Sequence, residues 1–459
     1  MLGAVAGATR SVGAQNRVDV RHIAWANVAP LAARLEAQGI TAAGFPAYIE
    51  RLRQTHAARV REGDLDHLVF YLLQSRRFTS LSPVEPALSA KALVDGLDPR
   101  ERDVFLRDSR TTSAHVAAAV RSRVAALRRA MDSPARDARL EYFREVVEAS
   151  FPDRRAREEG ILREYLRVMR FVYEKEFVAQ RAEQPAGAVA ELYRTRGLST
   201  DTAVEAGYLV HLGLGVVKAL EPDRRVRRVL IIGPGLDLAP RTALLEAGPP
   251  ESYQPWAVID ALVTLGLSAA DDLQVVAADI NPRVVEHLRR ARSTPPVLRL
   301  VSEIRESESV TLSREYRDYF AQLGRGIGET DESLPSIAGA KGHLRKTVRV
   351  GSASARALRA EALDVVTDRL EGTPFDVIVA TNILPYFDDV ELMLAMSNVA
   401  AMLAPGGIFL HNEARPLMQD VTVALGMPLE QSRHAIIATV RGARAPLFDS
   451  VFLHRRSGK

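Results

Sequence analysis

The chain contains no cysteine. That excludes disulfides, thiolate metal ligands and a cysteine nucleophile, and leaves the redox compartment open. No run approaches the ~18 apolar residues of a membrane helix, so no membrane partner is expected. Lysine is scarce, standing only at Lys91, Lys175, Lys218, Lys341, Lys346 and Lys459. Basic charge therefore rests on arginine, interleaved with acids along helical stretches and forming no long block. With 61 basic and 57 acidic side chains and a formal net charge of +4, no nucleic-acid partner is expected. His22, His56, His67 and His115 stand singly, without a ligand pair at helical spacing, so no metal is implied. Residues 1–14 are small and weakly apolar, and Val12-Gly13-Ala14 resembles a signal-cleavage site. Arg10 interrupts that stretch and no basic region precedes it. A frayed terminus and a cytoplasmic location are expected, with export as the alternative.

What is present is ample core material. Hydrophobic residues make up 47% of 459, enough for two or three domains. From Val18 to Ala182 apolar residues recur at three- and four-residue steps. Trp25, Val28, Leu31 and Leu35 make one stripe; Phe45, Tyr48, Ile49 and Leu52 make another. This predicts an all-helical N-terminal domain over 1–188, bounded by Gln184-Pro-Ala-Gly-Ala188. Within it, Arg76, Arg77, Phe78 and the stiff Ser82-Pro83-Val84-Glu85-Pro86 are candidates for a substrate surface, since rigid loops often carry sites. Ser199-Thr200-Asp201 is expected to start a helix running to about Leu220.

Residues 189–459 are expected to form an α/β domain, because strands and helices alternate there. Val229-Leu-Ile-Ile-Gly-Pro-Gly-Leu-Asp237 is an apolar strand that breaks into glycines, and Leu273-Gln-Val-Val-Ala-Ala-Asp-Ile280 is a second strand ending in Asp279. A glycine turn after one strand and a carboxylate ending the next is how doubly wound proteins hold a nucleoside. Residues 295–349 look like an inserted irregular lobe, with a strand near Thr347 to Val350. Phe375 to Asn382 and Ile408 to Glu413 are further strands. His434 to Val440 and Leu447 to Leu453 flank a turn so short that they must pair antiparallel.

These motifs resemble those of class I S-adenosylmethionine-dependent methyltransferases over roughly Ser199 to Arg455. Gly233-Pro234-Gly235-Leu236-Asp237 stands where the family has its glycine-rich turn. Leu403-Ala-Pro405-Gly406-Gly407 is similar to the family's segment before strand five, and the final hairpin to its sixth and seventh strands. The resemblance implies a Rossmann-like, seven-stranded, mostly parallel sheet with a C-terminal antiparallel hairpin. The layout is also similar to that of chemotaxis-receptor glutamate methyltransferases, which carry a run like Asn382-Ile-Leu-Pro-Tyr386-Phe387-Asp388. This chain departs from them with Thr381 in place of their usual arginine. The span from Gly233 to Asp279 is 46 residues, against ~20 in the ordinary fingerprint, so the first crossover holds an insertion.

Carried onto this sequence, the resemblance makes S-adenosylmethionine the cofactor. Gly233, Pro234, Gly235 and Asp237 are its turn, Asp279 and Ile280 its ribose contacts, Leu363 and Asp364 its adenine loop, and Asn382 and Ile383 its neighbours on strand four. Tyr386 and His411 are the candidate catalytic residues, near strand ends that line the crevice of an open sheet. The acceptor, a small molecule or a protein side chain, is not fixed. Two rivals are a nicotinamide-dependent oxidoreductase and a silent cofactor-binding scaffold.

Overall fold

The computed structural model describes residues 19–108, 113–132, 137–238, 248–331 and 340–458; the signal-like residues 1–14 lie outside these. Its centre is a sheet built from apolar runs buried on both faces. We number its strands β1 (Arg228–Ile232), β2 (Gln274–Asp279), β3 (Val310–Leu312), β4 (Leu358–Ala362), β5 (Phe375–Ala380), β6 (Leu403–His411), β7 (Leu429–Val440) and β8 (Leu447–Arg455). Their spatial order is β3-β7-β8-β6-β5-β1-β2-β4. The five strands from β6 to β4 pair parallel, and β8, β7 and β3 continue the sheet antiparallel.

The expected glycine strand, acid strand and hairpin are all present, with Ile436 opposite Phe448. The sheet differs from the expected seven strands by one. Val310–Leu312 of the lobe adds an edge strand through Leu312 opposite Ala438. The lobe is also more regular than expected. Val297–Val301, Arg345–Val350 and Gly328–Asp331 form a three-stranded antiparallel sheet. Leu298, Leu300, Val348 and Val350 turn inward while Arg299 and Arg349 turn out, the alternation of a half-buried sheet.

The N-terminal segment is not wholly helical, since Val20–His22 pairs antiparallel with Asp368–Leu370. Its longest helix is α1 (Phe45–Gln74), started by Pro46 in the first turn. The buried Arg123 stops it, donating to the carbonyls of Leu72 at 2.6 Å and of Ser75. A guanidinium there satisfies terminal carbonyls and suits the negative end of the helix.

Strand alternation splits the core in two. Val229, Ile231, Val275 and Ala277 face one cluster, shared with Leu68, Phe70 and Leu72 of α1 and with helix Arg157–Tyr173. Leu230, Ile232, Val276 and Ala278 face the other, shared with Val28, Leu31, Phe45 and Ile49. Residues from before position 188 thus cover both faces of the sheet. The helix expected from Ser199 is α2 (Glu205–Leu220), which starts later. Residues 199–203 run without helical structure along the sheet's crevice.

Candidate functional site

Chain order places β1 in mid-sheet, with β2 and β4 on one side and β5 on the other. The C-terminal ends of β1 and β5 therefore open a crevice where the connections diverge. The turn after β1 needs its glycines. Gly233 and Gly235 have φ of +64° and +71°, a region L side chains rarely adopt. A Cβ on Gly233 would strike Ile383, and one on Gly235 the Thr200 carbonyl. The Gly233 N–H bonds Ala278 O at 2.8 Å, tying the turn to β2.

Asp279 ends β2 beneath this turn. Its Oδ1 accepts from the Asn281 N–H at 2.8 Å, and Oδ2 lies 3.4 Å from the Gly235 nitrogen. Burial pushes its carboxyl up to about 6, against the two backbone N–H groups and with help from the nearby Asp64 charge. After β5, Asn382 has φ of +62°, alone among the described non-glycine residues in being positive. Asn412 holds it, accepting from the Asn382 N–H at 2.9 Å and donating to its Oδ1 at 2.7 Å.

A cavity of about 710 Å³ brings together Gly233, Gly235, Asp279, Ile280, Leu363, Asp364, Asn382, Ile383 and Tyr386. Pro234, Asp237 and His411 do not line it. Burial raises the Asp237 carboxyl well above the usual range, and Arg139 opposes that shift. His411 is 1% exposed, stacked among Phe409, Phe452 and His454, and its Nδ1 accepts from the Glu413 N–H at 3.0 Å. Burial and then the His454 charge push its pKa well below the ordinary histidine value, so this imidazole stays neutral. Arg76, Arg77 and the loop at Ser82 are also outside the cavity. Glu85 caps the helix Pro86–Asp95, accepting from the N–H groups of Ala87 and Leu88 at 3.0 and 2.7 Å.

Sequence reasoning missed the part of α1 that packs behind the crevice and reaches the cavity itself through His56. His56, Arg59, Gly63 and His67 lie three to four residues apart on one helix face, with Asp64 next to Gly63. His56 is 2% exposed and bridges two carboxylates, with Nδ1 2.7 Å from Asp364 and Nε2 2.8 Å from Glu391. Burial alone would lower its pKa; the hydrogen bonds and charges of Asp364 and Glu391 overcome this and raise it to about 9. Arg59 donates to the carbonyls of Tyr386 at 2.8 Å and Arg196 at 3.0 Å. At Gly63 a Cβ would collide with the Leu198 carbonyl. Asp64 accepts from Asn281 Nδ2 at 2.9 Å and from the Tyr142 hydroxyl at 2.7 Å. His67 Nε2 accepts from the Thr200 N–H at 3.0 Å. The one signal in the sequence was the spacing of these polar residues on a single face of a long helix. Among the described residues, no group of three or more His, Asp or Glu side chains could hold a metal ion. None of the described helices is long and apolar enough to cross a membrane.

No family model matches the chain, and no curated protein matches it. Among solved structures it is similar to the N-methyltransferase NodS from Bradyrhizobium japonicum WM9, at 14% identity and a TM-score of 0.27, over 55% of this chain and 97% of that one. It is also similar to magnesium protoporphyrin IX methyltransferase from Synechocystis PCC 6803 with bound SAM, at 9% identity and a TM-score of 0.29, over 60% and 99%. A third is a TehB-like SAM-dependent methyltransferase from Corynebacterium glutamicum ATCC 13032 Kitasato, at 13% identity and a TM-score of 0.27, over 62% and 98%. At such TM-scores the likeness carries no weight of its own. The crevice of this chain has to carry the functional conclusion.

Proposed function

We propose that the crevice binds S-adenosylmethionine and that the protein transfers its methyl group to an acceptor held at the end of β5. One observation carries this reading. A turn of two left-handed glycines, a buried acid at the end of the next strand, and the Leu363-Asp364 and Asn382-Ile383 segments line a single cavity. The cavity sits in a parallel sheet that ends in an antiparallel hairpin.

The fit is testable on the turn itself. Ile383 and Thr200 pack so close to Gly233 and Gly235 that neither has room for a Cβ, and both glycines line the cavity, which puts their backbone within reach of a ligand. Asp279 is the acceptor for a ribose diol, ionised above about pH 6. Asp364 and Leu363 face the base; the Asp364 carboxylate is already oriented by His56 at 2.7 Å and by the Val366 N–H at 3.1 Å. Ile232 and Ile383 supply apolar walls. Bound there, S-adenosylmethionine supplies an electrophilic methyl on a sulfonium. The chain's own part is to orient that methyl, exclude water and position the nucleophile. His411 has no role in this reading, and Tyr386 shapes the acceptor side. The α1 face acts as the cover of the cofactor site.

Calorimetric titration with S-adenosylhomocysteine, set beside NADH, tests the reading. Saturable 1:1 binding of S-adenosylhomocysteine with none of NADH is expected. Binding of NADH alone would sink it.

A further inference from the structure

The base end of the crevice is closed by a chain of contacts that starts in α1 and runs through one side chain. Leu363 follows β4, and its N–H bonds the carbonyl of Asp279 at 3.0 Å. The loop after β4 is thus seated on the strand end that carries the ribose acid. Ile280, Leu363 and Val365 give the cavity apolar surface there, and Asp364 gives it a polar group. The Asp364 carboxylate is held from two sides. Its Oδ2 lies 2.7 Å from His56 Nδ1, and its Oδ1 accepts from the Val366 N–H at 3.1 Å. The side chain is 12% exposed, and each oxygen keeps a second lone pair for a ligand.

His56 has nothing left to offer the base directly. It lines the cavity, but its second nitrogen, Nε2, is also engaged, 2.8 Å from Glu391 Oε1. Glu391 is itself fixed. Its Oε2 accepts from the Asp388 N–H at 2.8 Å, in the capping box that opens the helix Asp389–Met402. Carboxylates accept hydrogen bonds and do not donate them, so the ring satisfies both partners only with a proton on each nitrogen. Burial opposes the charged ring, yet the hydrogen bonds to Asp364 and Glu391 raise its pKa to about 9. His56 is therefore a buried cation, anchored by one nitrogen on a helix cap and aimed by the other at Asp364. Held this way, Asp364 presents the cavity with an acceptor and no donor.

An acceptor beside apolar surface fits the 6-amino edge of a purine, whose N–H groups donate, and gives nothing to a purine that lacks them. We propose that His56 is a positioning residue that sets the base specificity of the cofactor site: by fixing the Asp364 carboxylate from 308 residues away in sequence, it makes the crevice select a 6-amino purine. This rests on the methyl-transfer reading above. Base selection in this chain then depends on a side chain that none of the strand-end motifs contains.

The test compares two ligands of the full chain by calorimetry: S-adenosylhomocysteine and its analogue with hydrogen in place of the 6-amino group. The wild type is expected to bind the first about tenfold or more tighter, the size of one hydrogen bond to a charged group. His56→Leu should bring that ratio below about threefold, and His56→Gln, which keeps a donor, should fall between. In an Asp364→Ala background, where the ratio is already lost, His56→Leu should change it no further. A role in stability alone would weaken binding of both ligands in parallel and leave the ratio intact. An unchanged ratio in a folded His56 variant therefore overturns the assignment, as does a wild-type ratio near one. Should His56→Leu not fold, His56→Gln reads the same ratio. Failure of S-adenosylhomocysteine itself to bind the wild type would instead overturn the methyl-transfer reading, and this proposal with it.

Discussion

The crevice has two walls of different origin. One is made by strand ends and their turns: Gly233 and Gly235 after β1, Asp279 at the end of β2, Asn382 after β5. Its residues are placed by backbone conformation within a few positions of a strand. The other is the polar face of α1, which packs behind the crevice and reaches the cavity itself through His56; its residues are placed by contacts with partners far away in sequence. His56 meets Glu391 across 335 residues and Asp64 meets Asn281 across 217. The first wall shapes the ligand's seat. The second locks the turns that make the seat, and does so with charge.

The difference is sharpest where each wall has a glycine with no room for a side chain. Gly63→Ala drives a Cβ into the Leu198 carbonyl, a backbone atom that cannot rotate away. It should lower thermal stability by several degrees and weaken S-adenosylhomocysteine binding together, because α1 must lift off the 198–201 segment. Gly235→Val meets the Thr200 carbonyl at a φ of +71°. It should abolish cofactor binding while far-ultraviolet circular dichroism and a cooperative melt persist. If Gly63→Ala melted like the wild type, α1 would not be rigidly docked. If Gly235→Val bound normally, the turn would not be the cradle.

The second test concerns charge. His56→Ala leaves Asp364 without its cation and Glu391 with only the longer contact to Arg59 at 3.5 Å among the described residues, and removing one partner of such a buried set costs about 3–5 kcal/mol. His56→Gln, able to donate to one carboxylate, should lose less. The wild type should show a matching pH dependence. The folded pKa of His56, about 9, is above the ordinary 6.5, so its stabilisation is complete below 6.5 and is lost as pH rises through about 9. The groups facing it are Asp364 and Glu391, with Arg59 on the far side of Glu391. A melting temperature that holds steady from pH 7 to 10 in the wild type, or a fall equally steep in His56→Gln, would break this account.

How much of this the sequence disclosed follows from the same contrast. The β1 run, its glycines and the acid of β2 were legible because each signal is local: an apolar stretch, a residue type that tolerates left-handed backbone, a carboxylate at a strand end. The hairpin was legible because six residues cannot return a chain parallel. The α1 face was not, because a histidine three turns from another reads like any core or surface histidine until its partners arrive in space. β4 was missed because Arg359 and Glu361 alternate with Leu358 and Ala360 in a five-residue strand at the sheet's margin. Of the lobe's strands, Arg345–Val350 was legible from Thr347 to Val350, while Val297–Val301 and Gly328–Asp331 were missed for the same reason of length, with polar residues on their outer face. His411 misled because strand position alone suggests a crevice residue; its side chain points into the layer of Phe409, Phe452 and His454.

Asp279 offers a smaller test of the strand-end wall, read in ligand affinity rather than in stability, where the loss comes as pH falls. Its folded pKa, about 6, is raised above 3.8 by burial, so the ligand-free fold holds the proton more firmly than the unfolded chain does. A ribose diol needs the ionised form as acceptor. S-adenosylhomocysteine affinity should therefore fall as pH drops through about 6 while the ligand-free protein does not lose stability from this group. Asp279→Asn should remove the acid limb and leave a lower, flat affinity. Affinity that is unchanged between pH 7 and 5 in the wild type would detach Asp279 from the ligand.

The smallest expected effect lies at Asn382. A left-handed backbone costs an ordinary residue about 1–2 kcal/mol, less for asparagine, and here Asn412, just after β6, accepts from the Asn382 N–H at 2.9 Å and donates to its Oδ1 at 2.7 Å. Asn412 also donates to Asp449 at 3.1 Å, so the β5 turn is anchored to the hairpin strand β8. Asn382→Gly keeps the conformation and loses only the side-chain bond; Asn382→Ala loses both. The alanine variant should melt lower by about 1 kcal/mol and the glycine variant by less. Both should weaken S-adenosylhomocysteine binding far less than Gly235→Val does, because Asn382 only borders the cavity while Gly233, Gly235 and Asp279 are all intact. A loss of binding as complete as that of Gly235→Val would make Asn382 as essential to the cofactor seat as the glycine turn itself.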